Sequence, residues 1–145
     1  MSALPNSKVI VFIGKRETGK SFLVKDLLYY HQDIPVGTVI SGTEGANAFY
    51  SKMMPGIFIH NHYDDEIVSN YIRRQKKIVR AYNEKKEVDP RAFLILDDCL
   101  YDNSWVKDKN IRACFMNGRH YKLLFLLTSQ YPLVGNPQLR TNIDF

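Results

Sequence analysis

Lys8-Val-Ile-Val-Phe-Ile-Gly14-Lys-Arg-Glu-Thr-Gly19-Lys20-Ser21 decides the fold. Five β-favouring residues, Val9 to Ile13, run into a glycine, and the pattern Gly-x-x-x-x-Gly-Lys-Ser follows. Leu23, Val24, Leu27 and Leu28 then recur at helix spacing. Strand, glycine-bounded loop and helix in that order are the context of a phosphate-binding loop. Gly14 and Gly19 let the backbone curl so that successive N–H groups face an anion, and the new helix adds its positive end. The expected nucleotide-binding set is Gly14, Lys15, Arg16, Glu17, Thr18, Gly19, Lys20, Ser21 and Phe22. Within it, Lys20 reaches the β- and γ-phosphates and the Ser21 hydroxyl ligates Mg²⁺.

The helix that opens at Lys20 is expected to stop near His31, ahead of Asp33-Ile-Pro35. Gly37 to Ser41 reads as a second strand, Ala46 to Met53 as a short helix, and Ile57 to His60 as a strand at a sheet edge. A long helix is expected from Asp64 to Lys86. Asp64, Asp65 and Glu66 open it, Lys85 and Lys86 occupy its last turn, and Ile67, Tyr71, Ile72, Ile78, Val79 and Tyr82 share an apolar face. Arg91 to Leu96 is a buried strand that ends in Asp97-Asp98. Trp105 to Met116 reads as a helix stopped by Asn117-Gly118, and Leu123 to Thr128 as another buried strand. Strands alternating with helices imply an α/β domain, a mainly parallel sheet covered on both faces.

A chain of 145 residues, 45% hydrophobic and 24% charged, suits one domain with a sizeable core. The net charge of +5 favours polyanionic partners without selecting one. Cys99 and Cys114 lack paired spacing and suggest free thiols in a reducing compartment. No apolar run approaches the ~18 residues of a membrane span.

Three further elements carry chemistry. Asp97, at the C-terminal end of an apolar strand, suits the Walker B role and would hold the Mg²⁺ bound by Ser21. Asp98 would orient or deprotonate the attacking water. In Thr128-Ser129-Gln130, a polar residue can sense the γ-phosphate, and Gln130 is the candidate. Arg119 follows a helix stop and precedes a strand; it suits an arginine finger toward a neighbouring subunit, a pairing with an acid in cis, or a DNA contact. Arg73, Arg74, Lys76, Lys77 and Arg80 are spread around the long helix, so most of their charge is a solvated face, with a DNA-phosphate contact as the sharper reading. His60 and His62 with Asp64 and Asp65 read as a loop feeding an acidic helix start rather than a metal site. Tyr50, Tyr63 and Tyr101 are core candidates that could instead stack on a base.

With these elements placed, the chain resembles the DNA-packaging ATPases of poxviruses and nucleocytoplasmic large DNA viruses, within the FtsK–HerA superfamily of P-loop ATPases. The resemblance rests on Gly14 to Ser21, on Leu94-Ile-Leu-Asp-Asp98, on Gly118-Arg-His120 leading into Leu123 to Thr128 and Gln130, and on Leu139-Arg-Thr-Asn-Ile143. It implies a three-layer P-loop sandwich with ATP and Mg²⁺ as cofactors. It also implies a ring of subunits, double-stranded DNA as substrate, capsid or portal proteins as partners, and a place in the viral factory of the host cytoplasm and in the virion. By similarity Lys20, Asp98, Gln130 and Arg119 are the catalytic set, and Ser21 and Asp97 hold the metal. The family is normally longer, so a piece cut short before its last strands is expected, with an exposed first-strand edge and self-association. A small-molecule or nucleotide kinase and a nucleotide-gated interaction module are the rival readings. A GTPase is disfavoured by the lack of an Asn-Lys-x-Asp motif.

Overall fold

The computed structural model describes residues 8–13, 20–30, 33–41, 57–60, 63–97, 108–118 and 120–129. Eight elements follow in order: β1 (Val9–Ile13), α1 (Lys20–Tyr30), β2 (Val36–Ser41), β3 (Ile57–His60), α2 (Asp65–Asn83), β4 (Ala92–Asp97), α3 (Lys109–Asn117) and β5 (Leu123–Ser129). The strands form one parallel sheet in the order β1-β5-β4-β2-β3. The last described strand in sequence, β5, therefore lies between β1 and β4. As expected, β3 is an edge strand; β1 occupies the other end, with β5 as its partner among the described residues.

Side-chain alternation sorts the core into two layers. On one face Val24, Leu27 and Leu28 of α1 pack with Ile10, Val39, Phe93, Ile95, Leu124 and Leu126. On the other, α2 and α3 bring Val68, Tyr71, Ile72, Ile111, Cys114 and Phe115 against Ala92, Leu94, Leu96, Phe125 and Leu127. Covered on both sides, β4 and β5 are buried at every position, which explains their unbroken apolar runs. The result is a three-layer α/β sandwich. Gly37 stands opposite Phe93 in the β2–β4 register, and the Phe93 ring occupies the space that a Cβ would need.

Three expectations about the helices need correction. The long helix stops at Asn83 instead of Lys86. Lys85 turns left-handed at φ 62, and the Lys85 and Lys86 amides donate to the Tyr82 and Ala81 carbonyls at 3.0 and 3.1 Å. This is a Schellman closure built on a lysine, so Arg80 is the basic residue of the last turn. The inward face also differs: Val68, Tyr71, Ile72 and Gln75 are buried, whereas Tyr82 is 47% exposed. Gln75 lies in the middle of the basic run, yet its amide nitrogen donates to the Pro90 and Tyr121 carbonyls at 3.0 and 2.8 Å. Finally, α3 opens at Lys109 rather than Trp105, because extended Asp108 is its N-cap, accepting from the Asn110 and Ile111 amides. It ends at Gly118 as anticipated. What asks for glycine there is close approach rather than handedness: Gly118 has φ −54, and a Cβ would lie 2.6 Å from the Cys114 carbonyl oxygen. The expected helix over 46–53 and the tail Leu139 to Ile143 lie outside the described residues.

Candidate functional site

Parallel pairing aligns the C-terminal ends of four strands. Phe12 is level with Thr128, Thr128 with Asp97, and Asp97 with Ser41. Asp97 has the same parity as Phe93 and Ile95, so its carboxyl lies on the α1 side of the sheet. It is 3% exposed, and Thr128 and Ser41 are 1% exposed. The Thr128 hydroxyl donates to Asp97 Oδ1 at 2.6 Å. A buried carboxylate is costly unless hydrogen-bonded, and this partner comes from the neighbouring strand.

The other expected site residues fall around this row. β1 ends at Ile13, level with Ser129, and α1 opens at Lys20. Lys20, Ser21 and Phe22 form the first turn of α1, the element that follows β1 in the chain. Gly14, Lys15, Arg16, Glu17, Thr18, Gly19, Asp98, Arg119 and Gln130 lie outside the described residues. Sequence reasoning passed over Thr128 as a partner of Asp97, although it was in view as part of a polar strand end. The available signal was its parity: after Leu124 and Leu126, it is the first polar residue on the α1 face of β5.

Away from the row, titratable groups serve structure. Tyr63 donates to Asp108 Oδ2 at 2.7 Å and packs against the α2–α3 core, tying the start of α2 to the α3 cap. Burial, and then the Asp108 carboxylate, raise its pKa well above the tyrosine range. The buried Tyr71 hydroxyl donates to the Phe93 carbonyl at 2.7 Å, and burial raises its pKa likewise. Burial pushes the Cys114 thiol up to about 12. At the opposite end of the sheet, Arg91 pairs with Asp89 and Asp33, with side-chain bonds to both that raise its own pKa. Tyr50, Tyr101 and Cys99 lie outside the described residues. Among the described residues, no helix is long and apolar enough to cross a membrane.

Comparison with known proteins adds viral relatives and a fold. No family model matches the chain. The uncharacterized protein 075L of Invertebrate iridescent virus 6 is 46% identical over 139 residues, covering 95% of this chain and 52% of that protein. The uncharacterized protein L437 of Acanthamoeba polyphaga mimivirus is 41% identical over 141 residues, covering 94% and 50%. The chain thus spans about half the length of these curated relatives. Among solved structures, the pCW3 conjugation coupling protein TcpA with ATPγS superposes with a TM-score of 0.69 at 16% identity, over 94% of this chain and 47% of that one. The genome packaging NTPase B204 of Sulfolobus turreted icosahedral virus 2, in complex with AMP, gives 0.62 at 16% identity, over 97% and 74%. At such identities the likeness speaks for architecture: the five-stranded parallel sandwich is that of the P-loop NTPases.

Proposed function

We propose that this chain is a Mg²⁺-dependent ATPase domain of a viral motor that hydrolyses ATP to drive double-stranded DNA into a capsid. The observation that carries the reading is the buried Asp97 carboxyl, held by Thr128 from a strand inserted between β1 and β4; the Gly14–Ser21 motif, which joins β1 to α1 in the sequence, supports it. The shared fold with a viral genome packaging NTPase supports it, as do relatives in two viruses.

The residues present suit the cofactors. A carboxylate and serine and threonine hydroxyls are hard oxygen donors, the set that Mg²⁺ prefers over softer metals. Ser21 and Asp97 would hold the ion, whose chemistry there is to neutralise charge on the β- and γ-phosphate oxygens. Gly14 to Phe22 cradle the triphosphate through backbone amides and the helix dipole, and Lys20 adds positive charge at the γ-phosphate. Asp98 takes the proton of the attacking water. Gln130 reports the γ-phosphate state, and Arg119 serves a neighbouring subunit of a ring. Capsid or portal proteins are the partners, and the viral factory of the host cytoplasm and the virion are the setting.

Phosphate release measured with and without double-stranded DNA tests this reading. DNA-stimulated release is expected. Transfer to an added acceptor would point to a kinase instead, and tight ATP binding without turnover to a nucleotide-gated module. Lys20→Ala should abolish turnover. Asp98→Asn should keep ATP binding while hydrolysis falls by about 10²-fold or more, the scale of a lost general base. Full activity in Asp98→Asn would remove Asp98 from the mechanism.

A further inference from the structure

Two grooves meet on the outer side of α2, and both are lined by Lys76 and Tyr121. One, of about 280 Å³, lies between α2 and α3 and includes Arg73 and Lys109. The other, of about 440 Å³, continues past Arg80 to His120. Arg73, Lys76, Arg80 and Lys109 are all exposed. Residues 73, 76 and 80 stand three and four apart, hence on one side of the helix. At about 1.5 Å rise per residue they form a row of roughly 10 Å.

Among the described residues a carboxylate, Glu84, also lines the second groove, and it pairs with Lys86 at 3.4 Å. No described carboxylate makes an ion pair with any of the four; the ion pairs among the described residues belong to Lys86 and Arg91. Among the described residues, the Arg73 guanidinium donates to the Asn70 side-chain oxygen, at 3.2 Å. The Lys76 ammonium lies 5.9 Å from the centre of the Tyr121 ring, so a cation and an aromatic face share the middle of the groove. Like charges at this helical spacing repel one another, and a bound anion would relieve that.

We propose that this groove binds the phosphate backbone of duplex DNA, with Arg73, Lys76, Arg80 and Lys109 contacting phosphates. Regular charge in a single row suits a polymer of evenly spaced phosphates, one per ~3.4 Å of strand. Contact through phosphates makes the binding independent of sequence. The groove lies on the α2–α3 side of the sheet, the face opposite Asp97, so it is distinct from the nucleotide site and does not depend on that assignment.

The test is fluorescence anisotropy of a labelled random-sequence duplex, without nucleotide, over a salt series. It compares the unaltered chain, the triple variant R73Q/K76Q/R80Q and K77Q, which removes an exposed charge of α2 that lines neither groove. The triple variant should lose at least about tenfold in affinity and flatten the slope of log K against log salt by roughly 2 to 3, while K77Q leaves both unchanged. Should the triple variant unfold by circular dichroism, R73Q and K76Q singly should each lower the slope by about 1. A variant slope equal to that of the unaltered chain overturns the proposal. So does a poly-glutamate competitor that displaces the duplex at equal charge concentration, which would mark the groove as a dock for an acidic protein. With nucleotide absent, loss of ATPase activity leaves this outcome untouched.

Discussion

At the scale of single residues, Asp97 and Thr128 show what a buried ionisable group requires. Thr128→Val keeps the shape of the side chain and deletes the donor, so stability should fall by about 1–3 kcal/mol in urea unfolding, with Thr128→Ser restoring most of it. An unchanged midpoint would mean that the hydroxyl contributes little. Gly37 gives a second case. Its Cβ would sit 1.8 Å from the Phe93 ring, so Gly37→Ala should cost about 1–3 kcal/mol by overpacking. Phe93→Leu in the same chain should recover part of that, a coupling that a double-mutant cycle measures. Cys114 sets a pH limit. The unfolded thiol ionises near 9.0 and the buried one near 12, so its stabilising contribution is complete below pH 9 and is lost as pH rises toward 12. Unfolding midpoints should therefore decline over that window, and Cys114→Ala should flatten the decline. The carboxylate of this set was legible in the sequence, because an acid that ends an apolar strand is a local pattern. Its partner was not, because β4 and β5 positions 31 residues apart meet only through the sheet.

The helices show how tertiary contacts override local signals. Lys85, Lys86 and Glu84 are acceptable helix formers, so nothing in that stretch announces a stop at Asn83. Lys85 nevertheless adopts a conformation that costs an L-residue about 1–2 kcal/mol. Lys85→Gly should raise stability by about 0.5–1 kcal/mol once the added freedom of the unfolded chain is subtracted, read as a shift in thermal midpoint. Gln75 was hidden for a related reason. Between Arg74 and Lys76 it looks solvated, and only the two distant carbonyls that it bridges make its burial tolerable. The N-termini were easier to read. Asp64 and the acids behind it gave the start of α2 to within one residue. Asp108 was missed as a cap although Asp is a strong cap residue, because the aromatic and apolar Trp105 and Val106 extended the helical pattern upstream of it.

For the molecule as a whole, alternating strands and helices were enough to give the layers, while the strand order was not in the spacing at all. It is set by long-range pairing, in which β5 takes β1 as one neighbour and β4 as the other. The order makes a dynamic prediction. β4 and β5 are flanked by strands on both sides and covered on both faces, so their amides should exchange with solvent slowest. Those of the edge strand β3 should exchange orders of magnitude faster. Equal protection across the sheet would contradict that hierarchy. β5 also has ends with different neighbours: Tyr121, just before it, lines the basic groove, and Thr128 grips the carboxyl at the far rim. Seven residues of strand separate these surfaces by about 23 Å. A strand laddered on both sides cannot slide by one residue without turning every side chain to the wrong face. Any mechanical message between groove and rim therefore travels as a tilt of the entire plate, never as a piston stroke of one rod.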